Sequence, residues 1–284
     1  MKVLVTGATG RVGRRFVNRL LDQARYEVGV FVRDGERVAH LTERDVDVAI
    51  GDLRDPAAVS AAVDGYDAVV HLAASFRGVG AAETARVTDR ATRELADAAL
   101  TAGVVRFVFP STNLVYGPGR GRPAREDDDP RPPADSAYAT SKFAAETALL
   151  GRHSERGLDV RILRLAFVYG DGDPHLGELV RLWAHAWPAH RRTHMVHHAD
   201  VAQALLLALD GHGRPGGVYN LADDAPLSTY EVHRLIRLPL PEELASLPLE
   251  DPWEGIVEVE RARQELAFRP IYPSAYAARA AGAL

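Results

Sequence analysis

The stretch VTGATGRVG places three glycines directly after a short apolar run. That run, KVLVT (2–6), predicts a buried strand, and residues 11–24 carry apolar side chains at helical spacing. In a strand-to-helix turn of this kind Gly7 permits the tight bend, Gly10 lets a pyrophosphate approach the backbone, and Gly13 lets the helix pack closely on the strand. Free N–H groups at the helix N-terminus attract the phosphates. The turn therefore favours a dinucleotide-binding site over a purely structural one.

Short apolar runs alternate with helical patterns through the first two-thirds of the chain. Runs that are apolar almost throughout are typical of strands buried on both faces of a parallel sheet. Repetition of strand, helix and strand with right-handed crossovers predicts an α/β fold with a Rossmann-type doubly wound parallel sheet. The predicted strands are 2–6, 27–32, 46–50, 67–74, 104–111 and 159–170, and the predicted helices are 11–24, 55–63, 83–102 and 137–156.

The alternation breaks after Gly170. Beyond it the pattern predicts helices over 174–188 and 199–210, extended chain over 193–198 and a strand over 216–222, followed by short helical pieces separated by prolines. We expect a dinucleotide-binding domain and a small mixed C-terminal cap that binds substrate. The first comprises 1–170 with 198–220 returning to it, and the second comprises 171–197 and 221–284.

The composition excludes several classes of function. The 284 residues include no cysteine, which excludes disulfides and thiolate chemistry. The net charge of −5 comes without a basic stripe, so we expect no nucleic acid partner. No apolar stretch approaches the roughly 20 residues of a membrane helix, and the first residues do not resemble a secretory leader. We expect a cytoplasmic protein that acts on a small molecule.

The second predicted strand ends in VFVRD, which bears on the choice of cofactor. An acidic residue at this tip would bind a ribose diol and repel a 2′-phosphate, whereas Arg33 can pair with a 2′-phosphate. Asp34 follows it, and a surface arginine beside a surface aspartate is also a common arrangement. The tip favours NADP and leaves NAD open.

The stretch SAYATSK (136–142) places a tyrosine and a lysine four residues apart. On a helix Tyr138 and Lys142 would share one face, although such a spacing also arises by chance. A nearby ammonium lowers the pKa of a phenol from about 10 toward the working range of a base. The fifth predicted strand ends with Ser111 and Thr112 at the sheet edge where ligands bind in such folds. A hydroxyl there can hold a substrate oxygen while Tyr138 exchanges its proton, so the sequence predicts a working acid–base pair.

Together these motifs resemble those of the extended short-chain dehydrogenases/reductases, the NAD(P)-dependent epimerase/dehydratase family that includes nucleotide-sugar epimerases and dehydratases. The resemblance is collinear over essentially the whole chain. The segments that carry it are TGATGRVG, GDL (51–53), HLAA (71–74), STNLVYG (111–117), YATSK (138–142), RLAFVYG (164–170), VHHADVA (196–202) and ELAFRPIYP (265–273).

The resemblance implies a role for each matched residue. Tyr138 would donate or accept a proton, Lys142 would hold the nicotinamide ribose and lower the tyrosine pKa, and Thr112 would match the catalytic serine or threonine. Hydride would pass between the nicotinamide and a carbonyl or carbinol carbon. The expected cofactor-binding set, in which Asp52 and Leu53 meet the adenine, is Gly7, Thr9, Gly10, Arg11, Val12, Gly13, Arg33, Asp52, Leu53, Leu72, Ala73, Ala74, Tyr138 and Lys142. The expected substrate-binding set is Ser75, Thr112, Asn113 and Phe167.

Several positions depart from the family pattern. Sugar-nucleotide dehydratases carry an Asp-Glu pair right after the catalytic threonine, where this chain has Asn113 and Leu114, neither of which is an acid or a base. Nucleotide-sugar enzymes usually have an asparagine facing the substrate diphosphate where this chain has Phe167, and a proline where it has Leu165. The segment 171–195 is also shorter than in many epimerases. The side chains that could still bind phosphate are Arg164, Arg181, Arg191 and Arg192.

These departures favour an NADP-dependent oxidoreductase acting on a small polar substrate, either a ketone or a sugar-like compound. A nucleotide-sugar 4-epimerase with tightly held NAD is the main alternative. A non-catalytic redox sensor that binds NADP is a third. The intact Thr112, Tyr138 and Lys142 argue against the sensor, because a sensor needs no proton relay.

Three further signals have structural explanations. The cluster of His185, His190, His194, His197 and His198 suggests zinc, but the fold's chemistry needs no metal and no cysteine lies nearby, so we expect no metal site. Trp183 and Trp187 lie at helical spacing and are expected to pack in the core or cap. The helices 83–102 and 137–156 resemble the family's homodimer contact, and their alanines suit packing on the sheet equally well.

Overall fold

The computed structural model of this chain describes residues 1–76, 78–182 and 186–284. Most of its strands follow the predicted runs closely, and two of them, at 2–6 and 27–32, have the predicted bounds. The strands are β1 (Lys2–Thr6), β2 (Glu27–Val32), β3 (Asp47–Ile50), β4 (Ala68–His71), β5 (Arg106–Thr112), β6 (Val160–Leu165), β7 (Phe167–Tyr169), β8 (Arg192–Thr193), β9 (Met195–His197), β10 (Gly217–Leu221) and β11 (Leu227–Ser228).

Seven of these strands form one parallel sheet in the order β3–β2–β1–β4–β5–β6–β10. The order runs outward in both directions from the junction of β1 and β4, which is the arrangement that opens a crevice at the carboxyl ends of the strands. The predicted α/β fold with a doubly wound parallel sheet is confirmed.

Helices cover both faces of the sheet. One buried apolar cluster lies on the face covered by the first and eighth helices, and a second lies on the face covered by the third, fifth and sixth. The helices are α1 (Arg11–Leu21), α2 (Ala39–Thr42), α3 (Pro56–Val63), α4 (Ala81–Ala85), α5 (Ala91–Thr101), α6 (Ala137–Arg156), α7 (His175–Leu182), α8 (His198–Leu209), α9 (Thr229–Leu235), α10 (Glu242–Ser246), α11 (Glu260–Glu265) and α12 (Ala275–Ala280).

The predicted strand over 159–170 is two strands. Ala166 still donates its N–H to the carbonyl of Leu221 on β10, but Phe167 donates to the carbonyl of His194. From Phe167 onward the chain has left the main sheet and pairs in parallel with β9. The sequence prediction was wrong here because both strands are apolar, so the apolar run continues through the break.

Two predicted helices also differ in detail. The helix predicted over 83–102 begins two residues earlier, and a single π-helical turn, Arg86–Arg90, joins α4 to α5. Of the helix predicted over 174–188, the structure describes α7, His175–Leu182, and residues 183–185 lie outside the described residues.

A third apolar cluster lies outside the main sheet and gathers α7, β9, α9 and α12. This cluster belongs to the segments assigned to the cap, and the division into domain and cap stays a prediction. Trp187 packs against the cluster, as expected. Trp183 and His185 lie outside the described residues. Within the described residues, none of the helices combines the length and the hydropathy that a membrane span requires.

Candidate active site

The glycine turn between β1 and α1 is closely packed. Gly7 has a φ of +73°, and a Cβ there would lie 2.5 Å from the backbone nitrogen of Ala73. A Cβ on Gly13 would overlap the carbonyl oxygen of Gly7, to which Gly10 donates its N–H at 2.9 Å. The turn therefore needs glycine, and it forms a backbone cradle of the kind that fits a dinucleotide pyrophosphate.

The segment after β4 lies beside this turn. Leu72 donates its N–H to the carbonyl of Thr6 at 3.1 Å, and Ala73 donates to the Thr6 hydroxyl at 3.3 Å. These bonds place Leu72 and Ala73, with the exposed Ala74 after them, at the carboxyl edge of the sheet next to Gly7. The arrangement brings together the two segments that the sequence assigned to the cofactor.

Two guanidinium groups lie near the tip of β2. Arg33 is exposed and makes no hydrogen bond to any described residue. Asp34 accepts the N–H of Glu36 at 3.0 Å, so its carboxylate caps the following turn. Arg37 donates to the carbonyl of Thr9 in the glycine turn at 3.4 Å. Sequence reasoning missed Arg37.

Asp52 is held by its neighbour. Arg54 donates to the Asp52 carboxylate from its backbone N–H and from Nε, both at 2.9 Å, and from Nη2 at 2.6 Å. The Arg54 guanidinium lowers the pKa of Asp52 to about 2. Leu53 is half-buried and packs against the core. Adenine contact for these two residues stays a prediction.

The other residues of the glycine turn divide between core and surface. Val12 packs against the core beneath the turn. Arg11 points toward α7 and donates to both oxygens of Glu178, at 2.9 and 2.7 Å, and to Asp173 at 3.2 Å. The first residue of α1 thus ties the turn to the segment assigned to the cap.

Helix α6 carries the predicted acid–base pair and has the predicted bounds, 137–156. The Ser136 side chain caps its first turn by accepting the Ala139 N–H, and Gly157, with a φ of +74°, ends it. Lys142 is buried, donates to the carbonyl of Pro110 at 2.7 Å, and lies 4.3 Å above the ring centroid of Phe109. The lysine therefore meets β5 within two residues of Thr112.

Thr112 is buried at the end of β5, where its hydroxyl accepts the Leu114 N–H at 3.3 Å. The neighbouring Ser111 is also buried, and its hydroxyl has no hydrogen-bond partner among the described residues. An unpartnered buried hydroxyl beside Lys142 and Thr112 leaves hydrogen-bonding capacity at this edge for a ligand.

The protonation of the pair differs from the sequence expectation. Burial raises the pKa of Tyr138 to about 12. Burial lowers the pKa of Lys142 to about 7, while the Glu146 carboxylate one turn later raises it. In this arrangement the phenol is protonated at neutral pH, which is the form that donates a proton.

A buried ion pair supports α6 from beneath. Arg164 on β6 donates to the Glu146 carboxylate from Nη2 at 2.7 Å and to the Tyr116 hydroxyl at 2.8 Å. Tyr116 in turn donates to Asn220 at 2.7 Å. The expectation that Arg164 could bind phosphate is wrong, because its guanidinium is buried and fully engaged.

The expected substrate-binding residues lie in different surroundings. Asn113 donates to the carbonyl of Gly255 at 2.8 Å, which ties it to the C-terminal part of the chain. Phe167 stacks on His175 with ring centroids 4.0 Å apart. Ser75 follows the cofactor segment, and the ring of its neighbour Phe76 packs on Tyr138. Sequence reasoning did not identify Phe76.

The histidines of the predicted cluster are bonded individually. His194 bonds the carbonyl of Asp223, His197 that of Ala283, and His198 the Asp173 carboxylate. In the part of the chain that the structure describes, no group of three or more histidine and carboxylate side chains could hold a metal ion.

Comparisons with known proteins show the family of this chain. The family model for the NAD dependent epimerase/dehydratase family matches residues 3–222. The dTDP-glucose 4,6-dehydratase of Streptomyces niveus is 30% identical over 272 residues, which cover 82% of this chain and 75% of that protein. The 3 beta-hydroxysteroid dehydrogenase/Delta 5→4-isomerase of Mycobacterium tuberculosis is 29% identical over 263 residues, covering 82% and 68%.

A solved structure extends the likeness to the whole fold. The dTDP-glucose 4,6-dehydratase DesIV from Streptomyces venezuelae, with NAD and TYD bound, superposes with a TM-score of 0.78 at 25% identity and covers 99% of this chain and 97% of that one. The family predicted from the motifs is thereby confirmed. This chain belongs to the NAD dependent epimerase/dehydratase family and is an enzyme of the short-chain dehydrogenase/reductase type.

Proposed function

We propose that this protein is an NAD(P)-dependent oxidoreductase that transfers a hydride between nicotinamide and a carbonyl or carbinol carbon of a small polar substrate, such as a ketone or a sugar-like compound. The observation that supports the proposal is that one helix carries both Lys142, which bonds the carboxyl end of β5, and Tyr138, which packs on Phe76 in the loop that runs past Gly7.

In the proposed reaction a bound dinucleotide would supply or accept the hydride, and side chains of this protein would handle the proton. In reduction Tyr138 gives its phenolic proton to the substrate oxygen, and in oxidation it takes that proton back. The Lys142 ammonium stabilises the phenolate once the proton has left. The Thr112 hydroxyl hydrogen-bonds the same substrate oxygen and fixes its position.

Dehydration is disfavoured although a dehydratase is among the similar proteins. The two positions after Thr112 hold Asn113, whose amide is bonded to Gly255, and Leu114, which is 43% exposed and has no titratable group. Neither can remove a proton from carbon or protonate a leaving hydroxyl. The reaction we propose therefore ends at the carbonyl or the alcohol.

We further propose NADP as the preferred cofactor. The exposed Arg33 and the nearby Arg37 supply positive charge at the tip of β2. The Asp34 carboxylate accepts the Glu36 N–H in the turn that follows. Charge-assisted bonds from guanidinium groups suit a 2′-phosphate. NAD, which the solved relative holds, is the alternative cofactor.

The test begins with titration of NADP and NAD into the purified protein, followed by a screen of ketones and sugars for oxidation of the bound reduced cofactor. Tyr138→Phe should retain dinucleotide binding and lose turnover. Failure to bind either dinucleotide would overturn the proposal.

The screen also separates the two alternatives. A nucleotide-sugar 4-epimerase would release tightly held NAD only on denaturation and would invert a sugar without net change in cofactor. A redox sensor would keep all its effects in the Tyr138→Phe variant.

A further inference from the structure

The loop that follows β4 is anchored from beneath by a chain of buried hydrogen bonds. His71 at the end of β4 bonds the Thr92 hydroxyl at 2.9 Å, and Thr92 donates to the carbonyl of Thr88 at 2.8 Å. The Thr88 hydroxyl then accepts the Ser75 N–H at 3.0 Å and lies 3.4 Å from the Ser75 carbonyl. The backbone leading into Phe76 is therefore fixed on the buried side.

Thr88 reaches Ser75 because it lies in the π-helical turn Arg86–Arg90. A π-turn inserts one extra residue into a helix, and such turns are frequent at functional sites. Here the turn places a buried hydroxyl directly under the loop that enters the crevice. The bonds from Thr88 hold the backbone of Ser75, and the side chain of the next residue, Phe76, contacts Tyr138 on α6.

The ring of Phe76 packs on the ring of Tyr138. The two centroids are 4.5 Å apart and the planes are inclined by 57°, a tilted geometry that aromatic pairs prefer. Phe76 itself is 47% exposed, so part of its side chain still meets solvent. The contact places an apolar ring on the ring of Tyr138.

We infer that Phe76 is a positioning residue for the proposed reaction, holding the Tyr138 ring in place and keeping water from its phenol. This inference rests on the proposed function, in which Tyr138 exchanges the substrate proton. A phenol packed under an apolar ring is harder to ionise, because desolvation disfavours the charged form. That effect agrees with the raised pKa of Tyr138 and favours the protonated acid in the resting site.

The test measures the ionisation of Tyr138 directly, by NMR of protein labelled at the tyrosine Cζ carbons, with Tyr138→Phe to assign the resonance. The pH is raised from neutral to the limit of folding. Phe76→Ala should lower the midpoint of Tyr138 by about one pH unit, since water then reaches the phenol and returns its pKa toward about 10. Phe76→Trp, which keeps a ring, should restore the midpoint of the parent protein.

The matched control is Val79→Ala. Val79 lies in the same loop with the same exposed fraction, 47%, and carries no ring. The Tyr138 midpoint in Val79→Ala should therefore equal that in the parent protein.

A second variant, Thr88→Val, removes the hydroxyl that anchors Ser75 and should move the Tyr138 midpoint in the same direction as Phe76→Ala. In activity measurements, the apparent pKa of Tyr138 in the pH–rate profile should shift between variants in the same direction as the midpoint measured by NMR.

Equal midpoints for Phe76→Ala and the parent protein would overturn the inference, and so would an equal shift in Val79→Ala. The NMR titration needs neither dinucleotide nor substrate. A protein that binds no dinucleotide would therefore contradict the proposed function while leaving the titration readable, so the two failures are distinguishable.

Discussion

Lys142 donates a 2.7 Å hydrogen bond to the backbone carbonyl of Pro110, two residues before Thr112. The acceptor is a main-chain oxygen of β5, and the Phe109 ring of the same strand lies 4.3 Å from the ammonium, so β5 holds the lysine by both contacts. An ammonium carries three donors, and this bond occupies one of them. The remaining donors are available to a ligand at the carboxyl edge of the sheet.

Replacing Lys142 with Met should weaken dinucleotide binding about tenfold or more, because a hydrogen bond from a charged donor contributes about 1.5–3 kcal/mol. Isothermal titration of NADP and NAD measures the change. Lys2→Met is the control, since Lys2 is an exposed residue whose ammonium lies 3.5 Å from Glu27. Equal affinities in all three proteins would show that Lys142 does not contact the dinucleotide.

Replacing both Arg33 and Arg37 with Ser should lower affinity for NADP by about tenfold or more and leave affinity for NAD unchanged, since each lost charge-assisted bond to a 2′-phosphate costs about 1.5–3 kcal/mol. Arg44→Ser serves as the control, because Arg44 bonds Asp22 and Asn18 on the surface. A parent protein that binds NAD more tightly, or an equal loss for both dinucleotides, would contradict the NADP preference.

Replacing Arg164 with Met should destabilise the fold by about 3–5 kcal/mol, because the Glu146 carboxylate would stay buried without a cation. The double variant Arg164→Met with Glu146→Gln should recover part of this loss. Urea unfolding at one pH measures both. Arg44→Met, which breaks a surface pair, should cost less than about 1 kcal/mol. A similar loss of unfolding free energy in Arg164→Met and Arg44→Met would show that the buried ion pair stabilises the fold no more than the surface pair does.

His71 should contribute a loss of stability as the pH falls below neutral. Both ring nitrogens bond threonine hydroxyls, Thr6 at 2.6 Å and Thr92 at 2.9 Å, and burial together with the nearby Lys142 lowers the pKa of His71 to about 3. The unfolded chain takes up a proton near pH 6.5, so between about pH 6.5 and 3 the unfolded state holds one proton more. The contribution of neutral His71 to the free energy of unfolding is therefore fully present above about pH 6.5 and is lost as the pH falls toward 3.

The expected slope from His71 is about 1.4 kcal/mol per pH unit within that window. Urea unfolding at a series of pH values measures this slope. In His71→Gln the slope should be smaller by the amount that corresponds to about one proton taken up on unfolding. His194, whose pKa is lowered by burial to about 4, contributes a slope of the same sign, whereas Asp200 and Asp223, whose pKa values are raised by burial to about 6 and about 8, contribute slopes of the opposite sign. The test is therefore the difference in slope between the parent protein and His71→Gln. An unchanged slope in His71→Gln would contradict the assignment.

Most of the sheet was predictable from the sequence because its strands are buried on both faces. Runs such as KVLVT and EVGVFV are apolar except at their ends, which is typical of a parallel strand covered by helices on both faces. The bounds of α6 were predictable from its flanking residues, with Ser136 before it and Gly157 after it. The division of 159–170 at Ala166 was not, since it depends on a change of hydrogen-bond partner between distant strands.

The residues of the candidate site were predictable where one segment contains the whole motif, as with the glycine turn and the Tyr138–Lys142 spacing. Contacts between segments were not. No local pattern relates Phe76 to Tyr138, Arg164 to Glu146, or Arg37 to the carbonyl of Thr9. The raised pKa of Tyr138 was not predictable from the sequence either, because the spacing indicates the neighbouring cation but not the degree of burial.

The bond from the Asn113 amide to the Gly255 carbonyl has a consequence for attempts to exchange chemistry between this enzyme and its dehydratase relatives. An aspartate at 113 would set two oxygen acceptors against each other and remove this tie between the end of β5 and the C-terminal part of the chain. The segment would then depend on the backbone bonds that Ala124 makes with Ile256 and Glu258. Conversion to a dehydratase should therefore give the Gly255 carbonyl a new hydrogen-bond donor before positions 113 and 114 are altered.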